Sequence, residues 1–214
     1  MHCAICGVRK PRRYCPALRG EICSICCGTE REQSVDCPLD CDWLQEAHRH
    51  EKPAALDTTK LPNKDIKVDR DFVYGNEALL ATVATAIYDA ARESRECTDY
   101  DVREALEALV KTYRTLNAGL YYETLPVNPF AAKVVSSVQR ALGELKEEET
   151  EEAGFSKIRD ATVLKALVFL QHVEYAHNNG RRRCRAFIGF VGDFSGVTGP
   201  DGESPEPDDR RIIL

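Results

Sequence analysis

The chain has 214 residues, a formal charge of −6 and a composition that is 43% hydrophobic and 30% charged, with a mass of 24.0 kDa and a pI near 5.5. That is apolar material for one ordinary core and a smaller appendage, which excludes a wholly disordered chain. It also excludes a global positive field that would gather nucleic acid or an anionic membrane, so binding of that kind has to rest on a local patch.

The opening residues, MHCAICGVRKPRR, lack the apolar stretch of a signal peptide. No later run approaches the roughly 20 apolar residues of a membrane span. The expectation is a cytosolic protein with no membrane partner. Eight of the ten cysteines fall within the first 41 residues, as Cys3, Cys6, Cys15, Cys23, Cys26, Cys27, Cys37 and Cys41. In a reducing compartment such clustering favours metal over disulfides.

Residues 1–51 are read as a cysteine-rich zinc module. Cys3-Ala-Ile-Cys6-Gly7 and Cys23-Ser-Ile-Cys26-Cys27-Gly28 are tight turns that each present two sulfurs, and Cys37-Pro-Leu-Asp-Cys41 leads into a helical stretch, DWLQEAHRHE. Zinc takes four such ligands in a tetrahedron. Eight cysteines therefore suit two zinc ions, and an interleaved pairing gives one ion Cys3, Cys6, Cys23 and Cys26 and the other Cys15, Cys27, Cys37 and Cys41. Adjacent Cys26 and Cys27 point apart and can serve different ions, and His48 or His50 are substitute ligands for one cysteine. An iron–sulfur cluster or redox centre is the alternative, though it usually draws on one tight group of four cysteines. Four sulfurs on each ion leave no open position for water, which points away from a catalytic zinc and from an enzyme.

The run Arg13-Tyr14-Cys15-Pro16 followed by Ile22-Cys23-Ser24, after an opening Cys-x-x-Cys, resembles the HIT and MYND group of cross-brace zinc fingers over about the first 45 residues. Leu18 stands where a HIT finger carries a second cysteine after the proline, and the last pair is Cys-x3-Cys. Such fingers are mainly protein-interaction modules, which is what the resemblance implies.

Residues 52–67, with Pro53 and Pro62 and little periodicity, read as a linker. From 68 to 194 the apolar spacing is helical, and the expected fold is mainly α, an antiparallel helical bundle. Leu79, Leu80, Val83, Ile87 and Ala91 share one face. Val102, Leu106, Leu109, Val110, Tyr113 and Leu116 follow a Thr98-x-x-Asp101 start of capping-box type. Asn128-Pro129 opens a third helix, which buries Val134, Val135, Val138, Leu142 and Leu145 and ends in the acidic run Glu147 to Glu152. A fourth carries Ile158, Leu164, Leu167, Val168, Gln171 and Tyr175 and stops at Asn178-Asn179-Gly180, where a left-handed cap is expected. A short fifth segment spans Arg183 to Val191, and residues 195–214 read as a flexible tail.

Two groups of cations are candidate anion-binding residues: Arg9, Lys10, Arg12 and Arg13 in the first, Arg181, Arg182, Arg183 and Arg185 in the second. Either suits phosphate, although the second follows a helix end that favours cations and has the acidic run as an internal partner. Glu174-x-x-His177 matches half of a di-iron bundle signature, but with no second such pair it reads as an exposed polar face. His172 reads as a surface or half-buried histidine. Cys97 and Cys184 read as small buried residues. The leading expectation is a non-enzymatic adaptor acting through protein–protein contacts, and the second is a nucleic-acid-associated factor using the arginine clusters.

Overall fold

A computed structural model of the chain describes residues 2–51 and 58–194. The tail expected at 195–214 lies outside the described residues, as do positions 52–57 of the linker. The fold is mainly helical, with one two-stranded sheet.

The cysteine-rich part holds strands β1 (Arg13–Cys15) and β2 (Gly20–Ile22), which pair antiparallel with Tyr14 opposite Glu21. Helix α1 (Ser24–Glu30) starts on Cys23, whose sulfur accepts from the Cys26 N–H, and α2 (Asp42–His50) starts on Cys41. Its own core is small: Ile22, Val35 and Leu44 among buried cysteines.

The larger part is built from α3 (Arg70–Gly75), α4 (Glu77–Arg92), α5 (Asp99–Asn117), α6 (Pro129–Ala153), α7 (Asp160–His177) and α8 (Ala186–Phe194). Around the core, α4 packs on α6, α6 on α5, α5 on α7, and α8 closes the ring between α7 and α4. Consecutive helices are therefore not always neighbours, because α4 and α5 bury themselves mainly against other partners. Val83, Ile87, Val102, Leu106, Val134, Val138, Leu167, Val168, Phe187 and Ile188 are fully buried at the centre. No helix among the described residues is long and apolar enough to cross a membrane.

The expected start signals sit at helix ends. Asn128 accepts from the Phe130 N–H at 3.0 Å with Pro129 in the first turn, and Asp101 accepts from the Thr98 N–H at 2.7 Å. The fourth expected helix ends as α7 at His177, but Asn178 is extended and the left-handed residue is Gly180, with φ +74°. That glycine turns the chain back toward the cysteine-rich part. The expected fifth segment appears three residues later than Arg183, as α8, after Arg185.

Residues 58–67 lie against the helices rather than running free. The Asn63 amide donates to Gln171 at 2.7 Å, Pro62 carbonyl meets the His172 ring at 2.7 Å, and Asp65 pairs with Arg114 at 2.7 Å. The expectation of an exposed polar face at Glu174 is not met either: its carboxylate is fully buried and grips Arg103 through two bonds of 2.7 and 3.0 Å. Arg103 in turn stacks on Tyr175, 4.1 Å from the ring centre, while His177 stacks on Phe190. The pair joins α5 to α7 and carries no metal-site geometry.

Where α8 meets α4, Gly192 leaves room for Tyr88: a Cβ there would sit 2.5 Å from the ring. Gly192→Ala should therefore destabilise the protein by about 1–3 kcal/mol through forced repacking. Urea denaturation followed by circular dichroism measures it, and an unchanged midpoint would show that the ring moves aside freely.

Candidate metal centre

Cys3, Cys6, Cys23 and Cys26 come together, their sulfurs all within 4.8 Å of one another. The first turn closes through the Gly7 N–H on the Cys3 carbonyl at 2.8 Å, with Gly7 at φ +65°, a conformation that costs glycine little. The second turn is the start of α1. The two are knitted together by the Cys23 N–H on the Cys3 sulfur at 3.2 Å, and by the Ala4 N–H on the Glu21 carbonyl at 2.9 Å.

The charge chemistry of this group suits a cation. Burial pushes the Cys3 thiol up, but the N–H groups of Cys6, Cys23 and Ile5 outweigh it and bring the thiol down to about 6. Burial and the neighbouring sulfurs push Cys26 up to about 12. Sulfurs this close cannot all ionise together unless a positive ion sits among them, and sulfurs around a tetrahedral zinc with ~2.3 Å bonds lie about 3.8 Å apart. This group could hold one metal ion.

Cys15, Cys27, Cys37 and Cys41 come from the end of β1, from α1 and from the entry to α2. They line one small cavity, about 20 Å³, walled by Ile22, Val35 and Leu44. These sulfurs do not form as tight a cluster as the first group. Burial pushes Cys37 up to about 12.

One arm of chain supplies a guanidinium to each group. The sulfurs of Cys23 and Cys6 lie close enough to hold the exposed Arg9 above its ordinary value. Arg13 donates to the Cys27 sulfur at 3.4 Å while stacking 4.1 Å over Trp43. Two of the four cations expected to bind an external anion thus face sulfur instead, and Lys10 and Arg12 remain exposed.

The second arginine group is largely consumed inside the protein. Arg181 donates to the Gly28 and Arg31 carbonyls at 3.2 and 2.5 Å, closing the C-terminal end of α1. Arg183 pairs with Asp36. Arg185 is buried, with its guanidinium on the Ala91 and Ser94 carbonyls at 3.2 and 3.4 Å. Only Arg182 of this group is exposed.

These arginines belong to a seam organised by Glu32, a residue for which the sequence offers no signal. Glu32 has φ +53° and is fully buried. Its carboxylate bonds His48 Nε2 at 3.0 Å, the Asn179 amide at 2.9 Å and the Arg185 N–H at 2.7 Å, and its carbonyl accepts from the Arg183 N–H at 2.7 Å. Burial pushes the carboxyl up, but His48, Arg185 and Asn179 together bring it below its ordinary value. Burial lowers His48, and the stronger pull of Glu32 leaves it raised. His48 thus pairs with Glu32, and His50 bonds Glu46 at 2.8 Å on the surface.

Cys97 and Cys184 are buried, as expected, and burial pushes Cys97 up to about 12. Cys184 donates its S–H to Asp99 at 2.9 Å. The same carboxylate accepts from the Phe187 and Ile188 N–H groups at 2.9 and 3.1 Å and so caps α8. No family model, curated protein or solved structure matches this chain.

Proposed function

We propose that the chain is a non-enzymatic adaptor of a reducing compartment, built on two structural zinc ions and acting through protein–protein contacts. The observation that carries this reading is the assembly of Cys3, Cys6, Cys23 and Cys26 into one group of four sulfurs, three of the cysteines buried and Cys6 half-buried. Four thiolates saturate a zinc ion and leave no position for water or substrate, so the metal supplies shape. The second ion takes Cys15, Cys27, Cys37 and Cys41 around their shared cavity. Arg9 and Arg13 offset the excess negative charge that four thiolates bring to each ion. The interaction role implied by the resemblance to HIT and MYND fingers agrees with this reading.

Metal analysis of protein purified without added metal should find close to two zinc per chain. Cys23→Ser should lose the first ion and Cys37→Ser the second. A single zinc in the unaltered protein would remove the second site, and iron as the main metal would overturn zinc altogether. The adaptor role is tested by affinity capture with the zinc-loaded chain and with Cys23→Ser. Partners held by the first and lost by the second support it, and capture of nothing by the zinc-loaded chain sinks it.

A further inference from the structure

Along residues 10–15 exposure alternates with the two-residue period of an extended chain. Lys10, Arg12 and Tyr14 are exposed, while Pro11 and Arg13 are half-buried and Cys15 is buried. The inward set serves the metal module: Arg13 reaches the Cys27 sulfur and Trp43, and Cys15 lines the second sulfur cavity. The outward set has no such use. The Lys10 and Arg12 side chains form no hydrogen bond or ion pair with the described residues. Tyr14 is 57% exposed and Leu18, in the turn that follows, 46%. The pairing of the Arg12 N–H with the Ile22 carbonyl at 2.9 Å extends the hairpin one residue beyond β1, to Arg12.

Two cations followed by an aromatic and an aliphatic side chain, all turned to water along β1 and the residues on either side of it, make a surface complementary to carboxylates followed by an apolar residue. We propose that the outward face of residues 10–18 binds an extended acidic peptide segment of a partner protein. Its carboxylates meet Lys10 and Arg12, and an apolar side chain meets Tyr14 and Leu18. The Glu21 carboxylate, opposite Tyr14 in the sheet, sets the polarity by repelling acidic residues from that end. A nucleic acid fits this surface less well. Arg13, Arg181, Arg183 and Arg185 are occupied within the chain, and the overall charge of −6 opposes a polyanion. The inference rests on the adaptor reading and gives its partner a chemistry.

The test uses the full zinc-loaded chain and three fluorescent probes: a short peptide in which a run of glutamates precedes a run of leucines, its counterpart with glutamine in place of glutamate, and oligothymidylate. Anisotropy should show the glutamate peptide binding at least about tenfold more tightly than the other two, and weakening as salt rises. The double variant Lys10→Glu/Arg12→Glu should lose at least about tenfold while keeping its zinc content and thermal midpoint. Equal binding of the glutamine peptide, tighter binding of oligothymidylate, or full binding by the double variant would each overturn the proposal. The adaptor reading is judged separately: zinc-dependent capture of partners that persists in the double variant rejects this surface and leaves the adaptor role standing.

Discussion

Stripping the metal should unfold residues 2–51 and lower the thermal midpoint of the remaining helices without abolishing them. Structural zinc contributes ~10 kcal/mol or more to small modules that lack a core, and Ile22, Val35 and Leu44 with a shell of cysteines are too little to replace it. The helices around Val83, Leu106, Val138 and Leu167 have a continuous core of their own, so most of the circular dichroism signal should survive a strong chelator at room temperature. Their midpoint should nevertheless fall, because Arg183, Arg185 and Asn179 are bonded to Glu32 and Asp36 across the seam. If that seam contributes about 3–5 kcal/mol, the fall is roughly 10–25 °C. Limited proteolysis should cut within the first 51 residues of the chelated protein and leave the rest. An unchanged midpoint would mean that the two parts are coupled in geometry only, and complete loss of helicity would mean that they fold as one unit.

The helices were legible because their burial is periodic: the stripes through Leu79 to Ala91 and Val102 to Tyr113 lie in the core where the spacing puts them. Start signals were legible for a local reason, since the Asn128 and Asp101 caps act within three residues of their own position. The first sulfur group was legible from two Cys-x-x-Cys turns. The three-residue strands β1 and β2 were not, being too short for alternation to register among cysteines. Glu174 was misjudged as exposed because α7 is packed on several sides, with Gln171 and Glu174 buried beside Leu167 and Leu170, so polarity there does not mark a solvent face. The arginines at 181–185 look like an anion site in one dimension, and only the fold reveals that the carbonyls closing α1, the carbonyls ending α4 and Asp36 take three of them. Glu32 lies in a polar stretch with nothing to set it apart, and its partners are 16 to 153 positions away.

Glu32→Ala should be among the most damaging single substitutions outside the cysteines, costing about 3–5 kcal/mol in the zinc-loaded protein. It removes a buried carboxylate that satisfies the Arg185 N–H, the Asn179 amide and His48 at once. It also leaves a residue with a side chain at φ +53°. Glu32→Gly loses the same bonds but suits that backbone, and should be about 1 kcal/mol less damaging than alanine. The ion pair has a pH signature as well. Glu32 is lowered, so its share of the stability is present above the ordinary carboxylate range and is lost only as pH falls through its folded value. His48 is raised, so its share is complete below the ordinary histidine value and is lost as pH rises through the folded one. Stability should thus decline as pH rises from the ordinary histidine value through the raised one of His48, and Glu32→Gln should flatten that decline. Urea denaturation at several pH values, with zinc content checked at each, measures both effects. A cost below about 1 kcal/mol for Glu32→Ala would show that the remaining contacts, Arg181 on α1 and Leu39 against the helical core, hold the seam without the carboxylate.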